Sequence, residues 1–142
     1  MGFRLRGGYP ENFAMEGTVT AGTAVAAGDV LAINGNVLER ATSSSTVHTI
    51  VGVAAETITV DDAKIKFIPI CQGQIWEADT NANTHATNQL YESCALTDHD
   101  TLDNSGSDVT GATGVFLIMA NVGAVADKKV LGEFTRLQST ST

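Results

Sequence analysis

Apolar and polar residues alternate with a period of two along most of this chain, and residues 64–79, KIKFIPICQGQIWEAD, show it best. Lys64 and Lys66 alternate with Ile65 and Phe67, the signature of a strand with one buried face. From Phe67 to Ile70 both faces are apolar, which places this strand toward a sheet centre. Pro69 has no N–H to give to a ladder, so one flank there is expected at an edge or a bulge. Gly73 breaks the run, and residues 74–78 alternate again. The reading is a β unit that turns at Cys71-Gln72-Gly73. Its candidate core anchors are Phe67, Ile75 and Trp76, the last being the only tryptophan of the chain.

The same period predicts the other elements. Residues 13–20, FAMEGTVT, form a first strand, followed by turns at Ala21-Gly22 and Ala27-Gly28-Asp29. Residues 30–33 and 36–40 flank Asn34-Gly35, a pair suited to a type I′ turn because both residues tolerate positive φ, so a hairpin is expected. Residues 41–46 are a polar loop. Residues 47–55 are a long β-branched strand, in which Gly52 marks a bulge or a close backbone approach. Residues 57–60 are short and extended, and Asp61-Asp62 turns the chain. Residues 80–85 are loop-like. Residues 88–97 read as a strand with Leu90, Glu92, Cys94 and Leu96 on one side rather than as a helical turn. Residues 97–113 form a long polar loop. Residues 115–122, VFLIMANV, are apolar on both faces and predict a buried strand. After a turn at 123–127, residues 128–137 close the domain with Val130, Phe134 and Leu137 inward. Gly7-Gly8 and Pro10 interrupt residues 1–12, which read as an arm, and 139–142 are a polar tail. The expected fold is all-β: a small single-domain β-barrel or β-sandwich over 13–138 with an extended N-terminal arm.

Composition narrows the function. A chain of 142 residues buries roughly 70% of its unfolded surface, so it needs no metal or disulfide staple. Net charge is −8, and the eight Lys and Arg are dispersed. That argues against the cationic stripe a nucleic-acid binder needs for counterion release. No apolar run reaches the ~18 residues of a membrane span. The basic start at residues 1–6 is followed by no signal-peptide core, and Arg6 stands where a myristoylation signal wants Ser or Thr. Cys71 and Cys94 match no metal or redox spacing, and two small buried thiols are expected. A lone His48 reads as a surface or capping residue, since a metal site needs convergent ligands.

In Asp98-His99-Asp100-Thr101-Leu102-Asp103 an EF-hand count from Asp98 puts Leu102 at position 5 and Asp103 at position 6, so that loop fails. A solvated acidic loop or a non-standard cation site remains. No nucleophile elbow, phosphate loop, dinucleotide fingerprint or paired-histidine zinc motif occurs. The Gly28-Asp29 turn is similar to those of biotinyl and lipoyl carriers, but Lys128-Lys129 lacks the hairpin-tip context of a modified lysine. The expectation is no catalytic residue, no metal, no cofactor and no enzyme activity.

Taken together, Ala27-Gly28-Asp29-Val30, the hairpin, Ile50-Val51-Gly52-Val53-Ala54, KIKFIPICQGQIWEAD, and VFLIMANVG before DKKVLGEF resemble the head decoration, or cement, proteins of tailed bacteriophages. The resemblance covers about residues 20–137 and rests on turns and strands. It implies an all-β protein on the outer surface of the virion capsid, made in the host cytoplasm. It implies homotrimers at three-fold positions that bind the major capsid protein, lock neighbouring subunits and do no chemistry. On this reading Phe3, Arg4, Leu5, Arg6 and Tyr9 of the arm are the candidate capsid contacts, since aromatics and Arg are enriched at interface hot spots. The rival is a carbohydrate-binding or adhesin-like β-sandwich, with Trp76 and Tyr91 as sugar-stacking candidates. A third reading is another virion part of the baseplate, tail tube or fibre.

Overall fold

Phe67 and Trp76 both lie inside the protein, but on opposite sides of one sheet. The structure, a computed structural model, describes residues 2–7, 14–82, 90–105 and 109–135. Within them the strands are β1 (Arg4–Gly7), β2 (Met15–Thr18), β3 (Val30–Asn34), β4 (Val37–Arg40), β5 (Ile50–Ala54), β6 (Lys64–Pro69), β7 (Ile75–Thr80), β8 (Ser93–Asp98), β9 (Thr101–Asp103), β10 (Phe116–Val122) and β11 (Lys129–Phe134). They make two packed sheets, ordered β1-β7-β11-β10-β8-β9 and β2-β6-β5-β3-β4. The first sheet curls far enough that β9, already antiparallel to β8, also pairs in parallel with the end of β7. The all-β expectation holds, with the character of a sandwich whose first sheet is partly closed on itself.

The main core lies between the sheets. Trp76, Phe116, Ile118, Val130 and Phe134 come from the first sheet, and Val30, Ala32, Ile50 and Val53 from the second. A smaller core covers the far face of the second sheet. Leu31, Leu38, Ala54, Ile65 and Phe67 meet Val19, Val25 and Ile58, which come from the connecting segments. The second sheet is therefore apolar on both faces, which explains the continuous run from Phe67 to Ile70: Ile70 faces the main core and Phe67 the smaller one. Phe67 lies against Gly52 of the neighbouring strand, where a Cβ would strike the ring and stand 2.7 Å from Ile68 O. Gly52 also sits beside a register shift between β3 and β5, so both expectations for it are met.

Several expectations need correction. The hairpin is present, but its loop is Gly35-Asn36, with Asn34 paired to Val37. Gly35 has φ of 67°, and Asn36 is not among the positive-φ residues. That is the pattern of a type II′ turn, with glycine at the first central position, rather than type I′. The turn at 71–73 does not close a hairpin, because β6 and β7 belong to different sheets. It carries the chain across the sandwich and is held by Gln74, which is fully buried. Gln74 Oε1 accepts from Cys71 N at 2.8 Å and from Trp76 Nε1 at 3.2 Å, while Gln74 Nε2 donates to Pro69 O at 3.0 Å. Ile75 is only half-buried and is not a core anchor: neighbours on a strand face opposite ways, and Trp76 takes the inward position.

The strand reading of 88–97 holds for β8, with Cys94 and Leu96 buried. The supposed loop at 97–113 contains β9, whose Leu102 is fully buried. Within β10, Phe116 and Ile118 face the core, but Met119 is 39% exposed at a bulge, so the strand is not buried on both faces. Cys94 is buried as expected and Cys71 is exposed; both are free thiols. Leu137, Phe13 and Tyr9 lie outside the described residues.

Candidate functional site

The arm expected at residues 1–12 is, over residues 2–7, part of the domain. β1 runs antiparallel to β7, with Arg4 opposite Glu77 and Leu5 opposite Trp76. Phe3, expected at another chain, is 2% exposed. Its ring centroid lies 5.1 Å from that of Phe134 and 5.7 Å from that of Phe116. The physical reason is that a phenylalanine beside an open apolar core gains more from burial than from solvent. Phe3 N donates to Gly28 O at 3.0 Å, which ties this segment to the turn entering β3.

Arg4 and Arg6 point to the outer face of the first sheet. Their guanidinium groups flank Glu77, Arg4 Nη2 on Oε2 and Arg6 Nη1 on Oε1. The two arginine side chains remain 44% and 55% exposed, while that of Glu77 is only 4% exposed. A carboxylate this enclosed needs such partners, and planar guanidinium groups supply them with fixed donor geometry. Among the described residues β1 is the terminal strand of its sheet, so its outer backbone edge is open. Beside it, Phe3, Leu5, Val53, Ile68 and Trp76 line a mostly apolar cleft of about 440 Å³ between the sheets.

Next to this strand Asp79 accepts from Lys129 Nζ at 2.6 Å and from Gly2 N at 2.8 Å. Burial pulls its carboxyl upward, but the Lys129 hydrogen bond, the Gly2 N–H and the Lys129 charge together outweigh it and hold it below the ordinary value of 3.8. A depressed folded-state value means that Asp79 contributes stability above its unfolded pKa and loses that contribution as pH falls through the folded one. Asp79→Asn is therefore expected to flatten the acid limb of a stability–pH profile below about pH 4, checked by urea unfolding at a series of pH values. An unchanged acid limb would remove this account.

A second polar group sits where the turn between β8 and β9 meets the loop before β3. Asp29, whose side chain is 4% exposed, has Oδ1 at 3.1 Å from His99 Nδ1. Its Oδ2 accepts from Ala26 N at 3.0 Å. Arg40 Nη1 lies 3.3 Å from His99 Nε2, and Val30 N donates to His99 O at 2.7 Å. Burial raises both Asp98 and Asp100; the hydrogen bond between them then holds Asp98 below the ordinary range and pushes Asp100 above it. Asp29, Arg40, His99 and Asp100 border a surface cavity of about 250 Å³ with Val25, Thr57 and Ile58.

Other candidates fall out differently. Burial, with the Asp103 charge, pushes the Cys94 thiol up to about 12, so it carries no thiolate at neutral pH. Trp76 is 1% exposed and unavailable to stack on a sugar, whereas Tyr91 is 71% exposed and adopts φ of 66°. His48 is exposed in a turn, with its N–H on Thr46 Oγ1 at 3.3 Å. Sequence reasoning missed Glu77, Gln74 and Asp29 as organising polar groups. The available signal was a lone acid inside the strand QIWEA for Glu77; Asp29 read only as a turn residue. Among the described residues no helix is long and apolar enough to cross a membrane. No protein-family model matches this sequence, and no curated protein matches it.

Proposed function

We propose that this chain is a virion structural protein that binds the outer surface of a tailed-phage capsid, as a homotrimer, and cements neighbouring major capsid proteins. The observation that carries this reading is the segment order that resembles the decoration proteins, supported by the all-β fold which that resemblance implies. Its support from chemistry is the net charge of −8, which suits an exterior surface over the DNA-facing one. In this reading the protein acts by binding alone. A protein that binds only the assembled lattice stabilises it by its binding free energy, and several copies around one axis reinforce each other.

The contact residues change with the docked N-terminal strand. Phe3 belongs to the core, so the open edge of β1, with Arg4, Arg6 and half-buried Leu5, carries the contact. Deleting residues 1–12 would strip an aromatic from the core as well as the contact, so a point substitution is the better probe. Arg6→Ala leaves Arg4 on Glu77. It is expected to weaken binding to purified undecorated capsids by about thirtyfold or more, the scale of a hot-spot arginine. Wild-type protein should saturate mature capsids and ignore free capsid subunits in co-sedimentation. Absence of saturable binding by wild type removes the cement reading; full-affinity binding by Arg6→Ala moves the contact off β1.

A further inference from the structure

We propose that Asp29, His99 and Asp100 form a binding site for a divalent first-row transition ion, with Zn²⁺ well matched to one imidazole nitrogen and two carboxylate oxygens. One ligand atom from each residue lies within 4.8 Å of the others. Ligands bonded to one such ion at ~2.0–2.2 Å stand roughly 3–3.5 Å apart. Asp29 Oδ1 and His99 Nδ1 are 3.1 Å apart. They are close enough for a hydrogen bond but lack its geometry: His99 Nδ1 is shut off from solvent and makes no hydrogen bond. The two ligand atoms thus face each other at a ligand–ligand spacing, and they pair as ions when the imidazole is charged. Asp29 is pre-organised, since Ala26 N fixes Oδ2 and leaves Oδ1 for the ion. The cavity of about 250 Å³ gives the ion and its remaining waters room, and the apolar side chains of Val25 and Ile58 on its wall lower the local dielectric.

Arg40 sharpens the proposal. A guanidinium only donates, so its contact with His99 Nε2 assigns the proton of the ion-free imidazole to Nδ1. An ion at Nδ1 requires the other tautomer: Nδ1 gives up its proton and Nε2 takes one. Nε2–H then faces Arg40, whose exposed side chain must turn away. Arg40 therefore competes with the ion through both charge and tautomer. Ion binding would join Asp29, on the loop entering the second sheet, to the β8–β9 turn of the first, adding a staple at the rim. This inference stands independently of the capsid reading.

The test uses the full chain, stripped with a chelator, on a Cys71→Ser background so that the exposed thiol takes no Zn²⁺. Calorimetric titration with Zn²⁺ is expected to show one saturable site per chain, together with a rise in Tm. Asp29→Asn, which keeps an acceptor for Ala26 N, and His99→Gln are expected to abolish both. Arg40→Gln is expected to tighten binding by about tenfold, the scale of one removed charge near the surface. If a variant fails to fold, broadening of the His99 and Asp100 amide resonances by Mn²⁺ in the wild-type chain tests the same site. The proposal is overturned if the wild type shows no saturable binding at millimolar Zn²⁺. It is equally overturned if binding survives Asp29→Asn and His99→Gln, or if Mn²⁺ broadening centres elsewhere.

Discussion

Trp76→Ala is expected to lower the free energy of unfolding by about 3–5 kcal/mol, the range for truncating a buried tryptophan or phenylalanine. The indole is 1% exposed and meets Phe134 edge-on, with ring centroids 5.6 Å apart and planes at 80°. Phe3 and Phe116 complete the cluster around Phe134. Removing the indole takes apolar area from the core and leaves a cavity that a sheet-bound neighbourhood closes only in part. It also strips Gln74 Oε1 of one of its two donors inside the protein. The loss is a large share of the ~5–15 kcal/mol stability of an ordinary domain. Urea unfolding followed by far-ultraviolet circular dichroism measures it, since the variant has no tryptophan fluorescence. A shift below about 0.5 kcal/mol, the scale of a surface substitution, would place the indole outside the main core.

Gly132→Val is expected to cost at least the upper part of the ~1–3 kcal/mol range for overpacking a core. Gly132 lies mid-strand in β11, opposite Ile118 and Trp76. The bulge at Met119 brings β10 so close that a Cβ on residue 132 would fall on the backbone oxygen of Leu117 and 2.6 Å from Phe116 Cε1. A backbone oxygen held in a sheet does not swing aside as a side-chain end does, so the strand must shift or the bulge must open. Gly111→Ala is the internal control, because nothing lies within 4 Å of a Cβ there. It is expected to change stability by no more than about 0.5 kcal/mol. Parallel chemical denaturation of the two variants checks the contrast, and equal stabilities would contradict it.

The bulk of the strand content was legible because a half-buried strand writes its period directly into the sequence. Lys64-Ile65-Lys66-Phe67 alternates in burial as its polarity says, and Val130 and Phe134 face inward as the spacing requires. Short, interrupted or two-faced elements were not legible in the same way. β9 is only Thr101-Leu102-Asp103, too short for a period to emerge from polar neighbours. Arg4–Gly7 shows no clear apolar stripe because its outer face is built from arginines that need Glu77, seventy-odd residues away, to make sense. Of the candidate contacts, Arg4 and Arg6 stay partly exposed while paired with Glu77, and Phe3 is buried. The Asp29–His99 pair was out of reach for the same reason: the segment around His99 read as an acidic loop or a non-standard cation site, but Asp29, far away in the chain, read only as a turn residue.

The chain by itself therefore determined that the fold is all-β, where most of its strands run and which side chains alternate, because these follow from interactions between near neighbours and from backbone stereochemistry. Only the tertiary structure decided which sheet each strand joins, that Phe67 and Trp76 serve different cores, and that residues 2–7 close the domain. It also brought the carboxylates of Asp29 and Asp100 beside one imidazole. Those outcomes depend on which distant apolar faces and charges find each other, and no local period records that choice.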